Sequence, residues 1–418
     1  MARETWVYID IHGQPELAGR LWFRARGGRE SATFEYASTW LERSDRFSFD
    51  PTLTLDSGPH HTPAGKALFG GIGDSAPDRW GRTLMRRAER RNAQAPGRTP
   101  RTLTELDYLL QVNDVARQGA LRFAETQGGA FLSETGADPI PPMLALPQLL
   151  VASERVLEDE DDTGASLRLL LAPGSSLGGA RPKASVRDGS GRLALAKFPQ
   201  KSDEMQVVCW EAVALTLAAR AGIEVPAWRI EPVGDKVVLI TERFDRDDGQ
   251  CIPFLSAMSM LGASDRETRS YLEIVDAIRR HGATPTADIK ALWRRVVFSV
   301  LISNTDDHLR NHGFLYSGEH GWRLSPAYDL NPVPADIKPR FLSTAIDLDD
   351  NTASLSLALQ VADYFELSPD EARRVAREVA EAVTSWRQAA TSLSIASSEI
   401  RRMESAFHHH DLEDALSG

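Results

Sequence analysis

The sequence predicts an α+β fold in which a small β-rich N-terminal part precedes a mixed sheet with one helix and then a mainly helical C-terminal part. Three observations predict it. Residues 5–25 read as strand, turn and strand, with WVYIDI and LAGRLWFRA on either side of His12-Gly13. A second alternating pair, KASVRD (183–188) and RLALAKF (192–198), is joined by Gly189-Ser190-Gly191. From about residue 286 onward the apolar positions recur mainly at helical spacing, interrupted by a hairpin at 312–325. At 418 residues the chain is long for a single core, so cooperating parts are expected at 1–125, 145–285 and 286–418.

Between these landmarks each element has its own signal. Phe34 and Tyr36 precede a Pro/Gly/His-rich loop around 58–65, and helical patterns follow from about Pro77 to Arg91 and over 102–112. GALRF (119–123) closes the N-terminal part as a short strand, and the Gly/Pro-rich stretch 124–143 reads as a linker or surface loop. Helical spacing at 146–157 runs into the acidic stretch Glu158–Asp162, and LRLLLA (167–172) leads into a Gly/Ser-rich loop. A helix from about 205 to 221 stops at Gly222, a natural C-terminal stop. Short strands are expected at 226–231 and 236–241.

Composition narrows the function classes. A 42% hydrophobic and 26% charged chain with no run of about 18 apolar residues is an ordinary globular protein with nothing to span a bilayer. MARETWVYIDIHG lacks a basic stretch followed by an apolar one, so no secretory signal is expected. Cys209 and Cys251 are too few for a disulfide framework, and Cys209 sits in an apolar helical stretch as a buried thiol would. These features point to the cytoplasm. The net charge of −11 argues against nucleic acid as the main ligand. The densest basic cluster, Arg79, Arg82, Arg86, Arg87, Arg90 and Arg91, reads as a solvated helix face.

The strongest chemical signal is SNTDDHLRN (303–311), after a helical stretch with Leu292, Val296, Val300 and Leu301 on one face. Asp306 and Asn311 stand five apart in a polar loop, the D-x-x-x-x-N spacing of kinase catalytic loops. Phosphoryl transfer needs a carboxylate to orient the attacking hydroxyl and accept its proton, with a neutral oxygen ligand for Mg²⁺ close by. Asp306 supplies the first and Asn311 the second, although an Asx-rich loop capping local backbone groups has the same composition. GFLYS (313–317), the turn at 318–321 and WRLSPAYD form a hairpin that returns Asp329 beside Asn311, where it suits Mg²⁺. His308 counts with the nucleotide-binding residues of this loop; one histidine beside two aspartates is too little for zinc.

The phosphate side lies upstream. PGSSLGGARPKASV (173–186) carries Gly174, Gly178 and Gly179, which let backbone N–H groups approach phosphate oxygens; a plain flexible turn would look alike, and no Walker A lysine follows. Lys197 shares a strand face with Leu193 and Leu195, so its ammonium needs a partner. Glu211 lies on an equally apolar helix face among Val207, Val208, Leu215 and Ala218. The two fit the lysine–glutamate pair of kinases, or a purely structural salt bridge. After VVLIT (237–241), the segment Glu242-Arg243-Phe244-Asp245-Arg246 sits where a connection between lobes would meet an adenine.

Taken in order, SSLGGARPKA, LAKFP, ERFDR, NTDDHLRN and LSPAYDL resemble the HipA family of toxin kinases from bacterial toxin–antitoxin modules. FEYASTWL, GGIGDSAPDRWGR and ARQGALRF extend the resemblance through the N-terminal region. It implies a two-lobed protein-kinase-like fold, with a β-rich N-terminal subdomain and a mainly helical C-terminal lobe. It implies ATP and Mg²⁺ as cofactors, with Asp306 as proton acceptor and Asn311 and Asp329 on the metal. Lys197, backed by Glu211, would meet the nucleotide phosphates. Gly178, Gly179, Ala180, Arg181, Pro182 and Lys183 would form the phosphate loop, and Glu242 and Phe244, on either side of Arg243, would lie at the adenine.

Family members silence themselves by autophosphorylating a serine of the glycine-rich loop, a position that Ser176 or Ser175 fits. A dianion there would repel the ATP phosphates. The resemblance further implies a helix-turn-helix antitoxin partner (HipB-like), DNA reached only through it, and a protein substrate such as an aminoacyl-tRNA synthetase. A non-catalytic kinase-like co-regulator that binds an antitoxin is the rival reading, against which the intact Asp306, Asn311, Asp329 and Lys197 argue. A small-molecule phosphotransferase would share the catalytic loop; the resemblance, rather than any residue, prefers a protein substrate.

Overall fold

The structure is a computed structural model that describes residues 3–94, 97–132, 140–160, 164–173, 179–265, 267–318 and 321–418. It is α+β and falls into two compact units: residues 1–201 with 231–255, and residues 202–230 with 256–418.

The first unit opens with β1 (Arg3–Ile11), β2 (Gln14–Arg26) and β3 (Arg29–Tyr36), completed by β4 (Pro59–His61) and β5 (Leu121–Ala124) in the order β4-β3-β2-β1-β5, antiparallel throughout. His12 and Gly13 both take positive φ, at 51° and 79°, the primed turn whose twist matches a hairpin. One sheet face buries Val7, Ile9, Leu21, Phe23 and Phe34. Phe34 meets Phe49 and Phe69 edge-on, at ring separations of 5.5 and 6.5 Å. The short helices α1 (Ser38–Leu41) and α2 (Gly70–Gly73) precede α3 (Arg79–Gln94) and α4 (Glu105–Gln111).

A second sheet in this unit runs β6 (Lys183–Arg187), β7 (Leu193–Lys197), β9 (Lys236–Glu242) and β8 (Trp228–Val233), with the boundary between the units falling on β8. Alternation assigns its two faces. Ala184, Val186, Ala194, Ala196, Val238 and Ile240 enter one core. There they meet Trp80 and Leu84 of α3, Leu149 of α5 (Leu146–Leu157), and Leu167 and Leu170 of α6 (Ala165–Leu171). The run LRLLLA is thus helical, its leucines three apart facing that core. The strands β10 (Arg246–Asp247), β11 (Gln250–Cys251) and β12 (Phe254–Ser256) follow.

The second unit is mainly helical. Its first helix, α7 (Val207–Arg220), is buried on nearly every side and ends before Gly222, whose φ of 72° is the left-handed stop expected there. Cys209 is buried on it, and burial, with Glu399 adding to the effect, pushes its thiol up to about 11, which favours the protonated form. Beyond α8 (Ala257–Met260), α9 (Tyr271–His281) and α10 (Pro285–Leu301) lie the hairpin β13 (Gly313–Tyr316) and β14 (Trp322–Leu324). The chain then runs through α11 (Leu355–Gln360), α12 (Pro369–Thr384), α13 (Trp386–Ser392), α14 (Ser397–Arg402), α15 (Glu404–Phe407) and α16 (His410–Ser417).

Trp386 stacks on Phe407 at 4.6 Å, and Trp210 of α7 tilts against both. Of the triplet His408–His410, the first and last are exposed. His409 turns inward to within 3.2 Å of the Leu301 carbonyl, and burial, then Arg340, lowers its pKa to about 4. No helix among the described residues is long and apolar enough to cross a membrane.

Candidate active site

In the second unit the site is built at the end of α10. Leu292, Trp293, Val296, Val300 and Leu301 hold this helix in the core, with the indole of Trp293 donating to the Ala358 carbonyl at 3.2 Å. The helix closes at Ile302, and Ser303 turns the chain through φ 52°, a left-handed conformation costing about 1 kcal/mol outside glycine. Hydrogen bonds from Asn304 N to Ser299 O (2.9 Å), His308 N to Asp306 O (2.9 Å) and Asn311 N to His308 O (2.8 Å) shape the loop that follows.

The adjacent aspartates part company. Asp306 is exposed, whereas Asp307 is buried. Asp307 accepts the hydroxyls of Tyr271 (2.5 Å) and Ser299 (3.0 Å) and lies 3.0 Å from His312 Nε2. That histidine contact is electrostatic, since its angle is not that of a hydrogen bond. Burial works to raise the Asp307 carboxyl, but His312 and the two hydroxyls outweigh it and hold it below the usual carboxylate range. Burial, then Asp307 itself, keeps the Tyr271 phenol protonated far above its ordinary range. Asp307 therefore anchors the loop and leaves Asp306 free to act. Neither Tyr271 nor His312 stands out in the sequence.

Asn311 and Asp329 are brought to the same loop. Asn311 is buried, and its Nδ2 donates to the Asp306 carbonyl at 3.1 Å. Asp329 is half-buried with φ 58°, a second strained residue beside the first. Its neighbours fix it: Tyr328 Oη donates to Arg310 O (2.7 Å), and Asn331 N donates to Asn304 Oδ1 (3.2 Å). Val333 N adds a bond to Ser303 O (3.2 Å), so the segment carrying Asp329 is stitched along the loop carrying Asn311. Arg340 supports the loop from below, donating to Ser303 Oγ (3.1 Å), Val300 O (2.9 Å) and Asp411 (2.6 Å). His308 Nδ1 is buried without a hydrogen-bond partner among the described residues, the kind of polar atom that a ligand satisfies.

No group of three His, Cys, Asp or Glu residues able to hold a metal forms among the described residues. An amide and a carboxylate that leave most positions to phosphate and water are a different donor set, and it is the one Mg²⁺ accepts. Glu211 belongs to this unit and is buried on α7.

The first unit holds the other residues. Lys197 pairs in register with Lys183 on β6 and Leu239 on β9, so all three share the sheet face opposite the α3–α6 core, with Leu195 two residues along. Lys183 is buried, its Nζ 2.7 Å from Asp78, the residue that caps α3 through Gly81 N. Trp80 reinforces this grip: its N–H reaches Gly179 O at 3.3 Å and its indole Nε1 reaches Lys183 O at 3.0 Å. Ser185 N to Pro173 O (2.7 Å) closes the base of the glycine-rich loop, and Phe198 N to Pro182 O (3.0 Å) fixes its exit. Gly179 has φ 100°, and Ala180 is exposed. Gly174, Ser175, Ser176 and Gly178 lie outside the described residues. Glu242 meets Arg192 at 3.0 Å, while the Arg243 guanidinium is buried against Asp245 and turned from solvent. Phe244 packs near Phe254, with ring centres 6.4 Å apart.

Comparison with known proteins adds three findings. Residues 175–387 match the family model described as the HipA-like C-terminal domain. Curated relatives carry the name "Putative kinase". One from Haemophilus influenzae is 29% identical over 108 residues, 23% of this chain and 32% of that protein. Another, Y4mE of Sinorhizobium fredii, is 25% identical over 340 residues, 73% of this chain and 74% of that protein. The match thus spans about a third of the first relative's length. The fold is similar to the structure titled Shewanella oneidensis MR-1 toxin–antitoxin system HipA, HipB and operator DNA complex. The TM-score is 0.66 at 18% identity, covering 98% of this chain and 96% of that one.

Proposed function

The chain belongs to the family of the HipA-like C-terminal domain, and from that premise we propose that it is an ATP-dependent protein serine/threonine kinase, the toxin of a toxin–antitoxin module. The observation that carries this reading is the loop of the second unit. There an exposed carboxylate, Asp306, stands beside a buried anchor, Asp307, with Asn311 hydrogen-bonded to the Asp306 main-chain carbonyl and the segment of Asp329 stitched alongside. Asp306 accepts the proton of the attacking serine or threonine hydroxyl as its oxygen bonds to the γ-phosphorus and the bond to ADP breaks. Asn311 and Asp329 would hold Mg²⁺, which when bound neutralises charge on the phosphate oxygens. His308 completes the nucleotide side of the loop.

In the same reading the first unit binds the nucleotide. Lys197 contacts the phosphates, and the loop Gly178–Lys183 cradles them, through main-chain N–H groups at every position but Pro182. With its ammonium held by Asp78, Lys183 serves as the anchor of that loop. Glu242 and Phe244 flank the adenine. The parts 1–125, 145–285 and 286–418 then correspond to an N-terminal subdomain, a nucleotide-binding part and a catalytic lobe. Ser175 or Ser176 is the autophosphorylation site. A HipB-like helix-turn-helix antitoxin is the partner, with DNA reached only through it, a reading supported by the similar Shewanella structure being a complex of HipA, HipB and operator DNA. The substrate is a cellular protein, of which an aminoacyl-tRNA synthetase is one example that the family resemblance implies, and the cytoplasm is the place of action.

Incubation with Mg²⁺ and radiolabelled ATP tests the reading: the wild-type chain labels itself on Ser175 or Ser176. Asp329→Ala lowers the initial rate by about 10²-fold or more, and raising Mg²⁺ recovers little of it. Normal labelling by this variant removes Asp329 from the site. Expression that is equally toxic with Asp306→Ala would favour the non-catalytic co-regulator instead.

A further inference from the structure

Beyond β9 the chain passes through Arg243, Phe244, Asp245 and Arg246, all within the first unit. The Arg243, Asp245 and Arg246 side chains are 3%, 2% and 9% exposed. Arg243 grips Asp245 with both arms of its fork, each at 2.6 Å, and Arg246 Nη1 adds a contact at 2.8 Å. Burial works to raise the Asp245 carboxyl, but the two guanidinium groups hold it far below the usual range.

Ion groups this deeply buried are a poor route to stability alone, since apolar side chains of similar volume commonly do as well or better. What apolar side chains could not supply is the set of hydrogen bonds the triad sends outward, and these converge on one stretch of main chain. Arg243 donates to Ala116 O (3.0 Å) and Arg117 O (3.1 Å). Arg246 donates to Arg117 O (2.6 Å), Gly119 O (3.2 Å) and Val115 O (3.3 Å). Asp245 Oδ2 accepts from Gly119 N at 2.8 Å. The same stretch is pinned from its other side. Arg117 is fully buried and donates to Ser75 O, Leu109 O and Val112 O at 2.9–3.1 Å. Residues 115–119 lead directly into β5 of the N-terminal sheet.

Gly119 carries the linkage one step further. Its φ is 74°, and a Cβ there would lie 3.1 Å from Phe254 N and 3.3 Å from Phe254 Cβ, so the glycine lets the two backbones close. The Phe254 ring in turn tilts against Phe244. We propose that Asp245, held between Arg243 and Arg246, is a positioning residue: it locks residues 115–119 onto the strand end carrying Glu242 and Phe244, so that the N-terminal sheet sets where the nucleotide base sits. This rests on the kinase reading, which places the base at Glu242 and Phe244.

The test uses the full chain and two ligands, ADP and inorganic tripolyphosphate, with binding read by calorimetry beside ATP kinetics. Asp245→Asn weakens ADP binding about tenfold and raises KM for ATP by a similar factor. It leaves kcat within about twofold and tripolyphosphate binding unchanged, a split that general loosening of the fold would not produce. Should Asp245→Asn fail to fold, Phe254→Leu decides, because it keeps most of the apolar volume and is expected to show the same split. Unchanged ADP affinity, or equal loss of ADP and tripolyphosphate, overturns the positioning role and leaves the kinase reading standing. A wild-type chain that binds neither ligand overturns the kinase reading and this proposal with it.

Discussion

Asp306→Ala lowers the rate of phosphoryl transfer by about 10²- to 10⁴-fold, the range of a lost general base, and changes stability by no more than about 0.5 kcal/mol. The two halves of this expectation have separate causes. The carboxylate is exposed, so removing it leaves no cavity. The structural contribution of residue 306 comes from its main-chain carbonyl, which accepts from His308 N and Asn311 Nδ2 and survives the truncation. Initial rates with radiolabelled ATP and a thermal melt on the same preparation check both halves. A variant that transfers phosphate at the wild-type rate would remove Asp306 from the mechanism.

One residue along, the outcome reverses. Asp307→Ala destabilises the chain by about 3 kcal/mol, because it strands the buried Tyr271 and Ser299 hydroxyls and His312 without their carboxylate. Urea unfolding followed by tryptophan fluorescence reads the shift, and a midpoint equal to wild type would show that the network contributes nothing. The pH dependence has a definite sign. The folded carboxyl is held below its ordinary value of 3.8, so its contribution is complete above that value. It is lost as the pH falls through the lower folded value. Stability of wild type therefore declines on the acid side, and the Asp307→Ala chain lacks that part of the decline.

This pair also marks how far the sequence is legible. Spacing to Asn311 selects Asp306, but nothing in TDDH says that its neighbour is turned inward; burial is a tertiary property, and Tyr271 lies far upstream. The hairpins at His12-Gly13 and at Gly189-Gly191 are readable because their strands alternate and their turns need positive φ or small residues. The stop of α7 at Gly222 is readable for the same local reason. The partners of ERFDR are not readable, because Arg243 and Arg246 bond to main-chain carbonyls, which every residue carries alike. Lys183 illustrates a middle case: its place beside the glycine-rich loop is visible, whereas its pairing with Asp78 depends on a helix from a distant part of the chain.

That distant helix bears on how this chain can be cut. The segment that matches the family model starts at residue 175, yet the strands it contributes lie on Trp80 and Leu84, and the loop at its edge is gripped by the first turn of the same helix. Residues 175–387 are consequently not an autonomous module: severed from the preceding chain, they would expose an apolar sheet face and release the loop together. Exchange of front halves between relatives would succeed only where the tryptophan, its aspartate neighbour and the alanine-lined strands travel as a matched set.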